Sequence, residues 1–345
     1  MKSPLAIFFR ILFLIVVIAL LLVGGGLAYF SSWRADRLAD LSSESEVLET
    51  PLGKVEVLTR GDGPPLLVLH GALGGFDQGL LLADSLSGVA ASVIAPSRPG
   101  YLRTPLTSGV LPEHQADLMA ALLDKLEVPS ADVLAFGEGA SVALQLALRH
   151  PTRVEKLVLA SPVIVHPTVA DKRPFPDEVM AGLTGDTGSW LMYEASRRDP
   201  AAILDWLFPR ESLRSPIQQK EARQFILDSP DQTVLFQELL DTTVPLSARE
   251  PGTRNDLVQT RVNPIPLDKV AVPVLIVQGE LDAVIPVKDV QAMAAKIPGS
   301  QLVTIPLTGH LLMLGPGTEE AAQHIHTFLS TESTSPAEPT APAQP

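Results

Sequence analysis

The stretch ADVLAFGEGASVALQLALRHP, Ala131 to Pro151, reads as a strand, a sharp glycine turn and a helix. A turn of this kind lifts the side chain at its tip clear of a sheet. Where the pattern is G-x-S-x-G, that side chain is a serine nucleophile. Here the five residues in register are Ala135, Phe136, Gly137, Glu138 and Gly139, so the tip is Gly137 and carries no hydroxyl. Sliding Ser141 into the tip position would shorten the helix by a turn and put Val142 and Leu144 where small residues are wanted. Ser141 is therefore expected one helical turn inside, about 6 Å along the axis, packing helix against sheet. The chemistry such a turn serves is acyl transfer. A histidine takes the hydroxyl proton, an acid fixes the histidine tautomer, and backbone amides hold the developing oxyanion.

Four other segments hold residue types suited to that chemistry, each just after an apolar run. They are His70-Gly71-Ala72-Leu73-Gly74-Gly75, Ser97-Arg98-Pro99-Gly100-Tyr101, Glu280-Leu281-Asp282 with Pro286 beyond, and Leu307-Thr308-Gly309-His310. In open parallel sheets, ligands sit at the carboxyl ends of the strands, so these positions belong together only if the runs are neighbouring strands.

The pattern supplies such a sheet. Val47–Leu48 and Val55–Leu58 flank Pro51-Leu52-Gly53 as in a hairpin. Strand-like runs follow at Pro65–Gly71, Ala91–Pro96, Asp132–Phe136 and Val154–Ser161, with helical spacing at DQGLLLADSL, at His114–Leu126 and at Gly139–His150. Strands that alternate with helices predict a mostly parallel sheet covered on both faces. From Pro162 to Leu267 the pieces read as helices alone, as in GSWLMYEASRR and PAAILDWLFPR. Strand character resumes at Val272–Gly279 and Ser300–Pro306, around the helix VKDVQAMAAKI, and a last helix falls near Thr318–Leu329. A helical insertion between two parts of one sheet is a lid.

Taken together in this order and spacing, these segments resemble the α/β-hydrolase family over about Val47 to Leu329. The longer run GGFDQGL…IAPSRPGYLRTPL is similar to a bacterial subgroup of it. The resemblance implies a doubly wound α/β fold with a helical lid. It also implies that the His-Gly loop supplies an oxyanion-hole amide at Ala72, with a second from Glu138. The late-strand pattern G-x-x-D-x-x-x-P, Gly279–Pro286, makes Asp282 the acid, and His310 is the base. The departure is Gly137 at the nucleophile position.

The remaining histidines read as structural. His70 is expected to hold its loop. His150 sits at a helix end, where a cation suits the dipole. His114, His166, His324 and His326 are expected at the surface, and no spacing among them suggests a metal. Glu138 places a charge that opposes an incoming anion, so its backbone amide is the expected participant; the alternative is that its side chain replaces a catalytic group. Ser97 is expected to brace a turn. Trp190, Met192, Tyr193, Trp206 and Phe208 either line an apolar pocket or form the lid's own core.

Bulk composition narrows the partners. The chain has 345 residues, a net charge of −13 and no cysteine. That excludes disulfides and thiol nucleophiles, and it argues against nucleic acid, whose phosphates need clustered Lys and Arg. No cofactor is expected. From Ile11 to Phe30 the chain is uncharged and apolar, and about 20 such residues span a bilayer core. A signal peptide's apolar region runs about 7–15 residues, so an uncleaved anchor is expected, with a signal peptide cut near Gly26-Leu27-Ala28 as the alternative. Lys2 and Arg10 before the segment lean the chain toward an N-terminus inside and an extracytoplasmic, periplasmic domain. The expected organisation is an anchor over 1–34, a linker over 35–46, a hydrolase-type domain over 47–329 with a lid near 162–267, and a disordered Pro-rich tail over 330–345. Without a serine, the expected function is a catalytically impaired member that binds an apolar small molecule or a partner protein, the substrate-binding residues being unassigned. The alternative is an active hydrolase of small ester or acyl substrates in which the His310–Asp282 dyad activates water.

Overall fold

The structure, a computed structural model, describes residues 4–164, 185–262 and 264–331. The chain divides into two units, Met1–Glu44 and Ser45–Pro345. His166, part of the lid span and most of the tail lie outside the described residues.

The first unit is one helix, α1 (Pro4–Glu44), 41 residues long. It is long and apolar enough over its first part to cross a membrane. At 1.5 Å per residue it measures about 60 Å, roughly twice the hydrocarbon thickness of a bilayer. The residues read as a linker over 35–46 are helical up to Glu44. ADRLADLSSE contains neither Gly nor Pro and spaces Leu38 and Leu41 three apart, so nothing stops the helix.

The second unit is built on an eight-stranded sheet. Its strands are β1 (Glu46–Thr50), β2 (Gly53–Arg60), β3 (Pro65–Leu69), β4 (Ser92–Pro96), β5 (Ala131–Phe136), β6 (Val154–Ala160), β7 (Val274–Gly279) and β8 (Gln301–Ile305). Their spatial order is β1-β2-β4-β3-β5-β6-β7-β8. The β1–β2 hairpin joins β4 in antiparallel fashion, and all later pairs are parallel. The central strands are apolar throughout because both faces are covered; every residue of β7 is buried. After the short helix α2 (Phe76–Leu82), helices α3 (Pro112–Lys125) and α4 (Gly139–Arg149) pack on each other and share one core cluster with β3, β5, β6 and β7. Each fully buried Leu or Ile there contributes about 1.5–3 kcal/mol.

Five described helices form the lid: α5 (Asp186–Arg198), α6 (Pro200–Glu211), α7 (Pro216–Asp228), α8 (Pro230–Asp241) and α9 (Glu250–Val262). The sequence starts three of them the same way. Asp199-Pro200, Ser215-Pro216 and Ser229-Pro230 each put a capping oxygen on the amide three residues on, and each places proline in the first turn, where no N–H is missed. Two short helices, α10 (Val287–Ala294) and α11 (Thr318–Ser330), complete the unit. Ser330, read as the start of the tail, closes α11.

Candidate active site

Because β3 to β8 run parallel, the segments after their ends gather at one edge of the sheet. The elbow is the sharpest of these turns. Gly137 follows β5 directly and holds φ +54°, in the left-handed region. Its N–H donates to the Ala160 carbonyl at 3.1 Å and its own carbonyl accepts from Val163 N at 2.9 Å. Apart from its two chain neighbours, a Cβ built on Gly137 meets only Gly71 Cα, at 3.5 Å, an ordinary van der Waals contact. Gly139 has no such room: a Cβ there would stand 2.6 Å from the Leu69 carbonyl oxygen. That contact with β3 lets α4 start tight against the sheet. Ser141 lies inside α4, buried, with Oγ donating to the Val163 carbonyl at 3.3 Å. It packs helix against chain, and the turn tip is Gly137.

The two residues expected as acid and base lie together. His310 Nδ1 donates to Asp282 Oδ2 at 2.8 Å. Asp282 is 1 % exposed and is held from the other side: Oδ1 accepts from Val284 N at 2.7 Å and Ile285 N at 2.8 Å, while Oδ2 also accepts from Gln278 Nε2 at 2.7 Å. Three donors in addition to the histidine fix the plane of this carboxylate. The arrangement leaves His310 Nε2 as the acceptor nitrogen. Burial opposes a charge on His310, but Asp282 outweighs it, with Glu138 and Glu211 adding to the same effect, so its pKa stands above the ordinary 6.5. The Phe136 ring packs 5.3 Å from the imidazole, centre to centre.

The expected oxyanion loop holds an unexpected occupant. The Ala72 N–H, the amide assigned to the oxyanion, donates to Glu138 Oε2 at 2.9 Å. Glu138 is 9 % exposed and stands as the residue just before α4. Sequence reasoning gave it a backbone role with the charge merely nearby. In the structure its carboxylate occupies the donor site itself.

His70 is a loop brace. It is fully buried; Nδ1 donates to the Gly71 carbonyl at 2.7 Å and Nε2 accepts from Arg98 N at 2.9 Å. Burial, and after it the Arg98 charge, push its pKa well below the ordinary value, so it is neutral. Ser97 also braces: Oγ accepts from Phe76 N at 3.1 Å and donates to Glu56 Oε2 at 2.8 Å. His150 caps α4 and meets Asp117 at 2.7 Å, at the far end of that helix from the elbow. His114, His324 and His326 are exposed, and among the described residues no group of acids and histidines could hold a metal. Of the five lid residues singled out, only Phe208 is buried, with the Arg214 guanidinium over its ring at 5.2 Å; Trp190, Met192, Tyr193 and Trp206 are half-buried. A cavity of about 590 Å³ beside Leu52, Asp117 and His150 touches none of the site residues.

Several residues that shape the site carried no readable signal. Glu211, at the end of α6, is buried; its carbonyl accepts from His310 N at 3.0 Å and Ala283 N at 3.2 Å. Its side chain pairs with Arg214 at 2.6 Å, and burial raises its pKa. One lid-helix end thus clamps the histidine loop to the acid loop. Arg98 is fully buried, pairs with Asp256 of α9 through both nitrogens (3.0 and 2.6 Å), and donates from Nε to the His70 carbonyl at 2.9 Å. This ties the oxyanion loop to the lid. Both links join elements far apart in the chain, which periodicity cannot reveal.

Strand order, elbow, acid–histidine pair and lid together define the class. The chain belongs to the alpha/beta hydrolase fold family, whose pattern matches residues 64–315. It is 26 % identical over 288 residues to the uncharacterized hydrolase YcgS of Bacillus subtilis, covering 81 % of this chain and 96 % of that one. It is 27 % identical over 274 residues to the 2-hydroxymuconate semialdehyde hydrolase of Pseudomonas putida, covering 79 % and 89 %. Among solved structures, an alpha/beta hydrolase fold protein from Nakamurella multipartita superposes with a TM-score of 0.74 at 31 % identity, covering 83 % of this chain and 98 % of that chain.

Proposed function

We propose that this protein is a membrane-tethered member of the α/β-hydrolase family that does not work through an acyl-serine and instead binds an apolar small molecule at the edge of the sheet beneath the lid. The observation that carries this is the Glu138 carboxylate on the Ala72 N–H. An acyl-transfer site needs that donor aimed at a developing oxyanion, and losing one such donor costs about 10²–10³ in turnover. Loss of the nucleophile alone costs on the order of 10⁶ in a serine hydrolase. Both departures fall at the elbow and act in the same direction. The test is labelling of the full-length protein with a fluorophosphonate, together with hydrolysis of short p-nitrophenyl esters. No labelling and no turnover above background are expected. Labelling that maps to Ser141 and vanishes in Ser141→Ala would overturn the reading.

The intact His310–Asp282 pair supports a second reading, in which His310 Nε2 activates a water above Gly137. A positioned general base is worth about 10²–10⁴-fold. Turnover in the native protein that falls by that factor in His310→Ala would favour it. For orientation, Lys2 and Arg10 support an N-terminus inside and a domain on the extracytoplasmic side, which protease accessibility in intact and opened cells distinguishes.

A further inference from the structure

We propose that Glu211, the last residue of lid helix α6, is a positioning residue for the Asp282–His310 pair, so that the root of the lid and the imidazole move as one. The inference goes beyond both functional readings and depends on neither. The chain leaves α6 along a path that touches both loops of the pair. The Glu211 carbonyl accepts from Ala283 N at 3.2 Å and from His310 N at 3.0 Å, so one oxygen joins the acid loop to the histidine loop. Ser212 then pairs with Asp282 as an antiparallel bridge, and Leu213 N donates to the Leu281 carbonyl at 2.7 Å. Arg214 Nε donates to the Leu307 carbonyl at 2.8 Å. Four successive residues rooted in the lid brace the two loops.

The side chain adds to what the backbone path supplies. Glu211 is buried; Oε1 accepts from Arg214 Nη1 at 2.6 Å, and Oε2 accepts from the N–H of Leu311, next to His310, at 3.4 Å. Gly309 leaves room for this carboxylate, since a Cβ there would overlap Glu211 Oε2. The glycine before the histidine is thus matched to a lid residue. A buried ion pair adds little stability over apolar packing of the same volume, so stability alone does not account for a carboxylate at this point. The charged groups that act on His310 are Asp282 on the acid loop, Glu138 at the start of α4 and Glu211, which is itself bonded to Arg214. Against the effect of burial, Asp282 favours the protonated imidazole, and Glu138 and Glu211 add to it. Of these three carboxylates, Glu211 is the one that the lid carries.

The experiment labels histidine Cε1 with carbon-13 in the full-length protein in detergent micelles and follows the ring signals by NMR across pH 5 to 9. His310→Asn assigns the His310 signal by its absence. Glu211→Gln keeps the backbone carbonyl and nearly the shape but removes the charge, and its His310 titration should shift to lower pH than in the native chain. Glu211→Asp returns the charge on a shorter arm and should recover most of that shift. Its Leu311 N–H loses the acceptor and should exchange about two- to tenfold faster by mass spectrometry, the net worth of one hydrogen bond. Leu204→Ala opens a cavity in the same helix without touching these groups; it should melt lower and leave the His310 titration in place. A titration unmoved in Glu211→Gln, not recovered in Glu211→Asp, or moved as far by Leu204→Ala would overturn the assignment, as would unchanged Leu311 exchange in Glu211→Asp. Where Glu211→Gln does not melt cooperatively, the Leu311 exchange in Glu211→Asp decides alone. None of these readouts needs turnover or a ligand, so the outcome stands apart from the test of either functional reading.

Discussion

Gly137 and Glu138 are adjacent residues whose effects can be separated. The backbone at Gly137 holds φ +54°, where any other residue costs of order 1–3 kcal/mol. The surroundings nevertheless accept a side chain, since Gly71 Cα at 3.5 Å is the nearest obstacle. Gly137→Ser should therefore fold, with a lowered melting temperature, and should place a hydroxyl at the tip of the turn. It will remain a poor nucleophile while Glu138 holds the Ala72 N–H. Adding Glu138→Leu releases that amide and removes the opposing charge. The double variant should label with fluorophosphonate and turn over short esters about 10²–10³-fold faster than Gly137→Ser, the worth of one oxyanion donor. A double variant that melts cooperatively yet neither labels nor turns over would mean that His310 and the oxyanion loop do not share a working geometry. Glu138 as a neighbour of the turn was legible in the sequence, because a charged residue next to an oxyanion site is out of place. That its side chain turns back to Ala72 was not, since a rotamer is chosen by tertiary space.

At the scale of elements, α1 bears the clearest expectation. Its apolar stretch should keep the full-length chain in the membrane fraction after an alkaline wash, and a chain starting at Ser45 should be released, because 45–345 is a compact unit by itself. A mature protein that begins near Tyr29 and washes free would identify the segment as a cleaved signal. The strands, α3, α4 and the lid were legible because each follows from local rules: apolar runs for buried strands, 3.6-residue spacing for helices, glycines where the elbow turns. Three lid helices announce their starts through Asp-Pro and Ser-Pro pairs. The helix continues through residues 35–44, where a linker is expected, because Ala, Leu and Arg are strong helix formers. Of the site, Asp282 and His310 were placed by their position after strands. Glu211, Arg98 and Asp256 were invisible because a clamp between distant elements leaves no periodic trace.

Across the whole molecule, two buried histidines make opposite demands on pH. His70 is held neutral between Gly71 and Arg98, with its pKa well below 6.5. An unfolded chain binds a proton there below about 6.5 while the native chain does not, so stability falls as pH drops from that point toward the native value. His310 has its pKa raised above 6.5 by Asp282. Its contribution is complete below about 6.5 and is lost as pH climbs through the native value. The pair thus sets a stability maximum near the ordinary histidine value, each limb sloping by at most about 1.4 kcal/mol per pH unit. Glu211, with a raised carboxyl pKa, also loses stability as pH rises from its ordinary value, so the test compares variants with the native protein and does not rely on a single curve. Thermal melts across pH 5 to 9 should show the alkaline limb flattened in His310→Asn, whose amide can still donate to Asp282 without titrating. His70→Gln can accept from Arg98 N but has no proton to gain; it should melt lower throughout and lose the acid limb. An alkaline limb that persists undiminished in His310→Asn would mean that the Asp282 bond does not bias the His310 proton in the folded chain, and the dyad would then lack the basicity that the water-activation reading assigns to it.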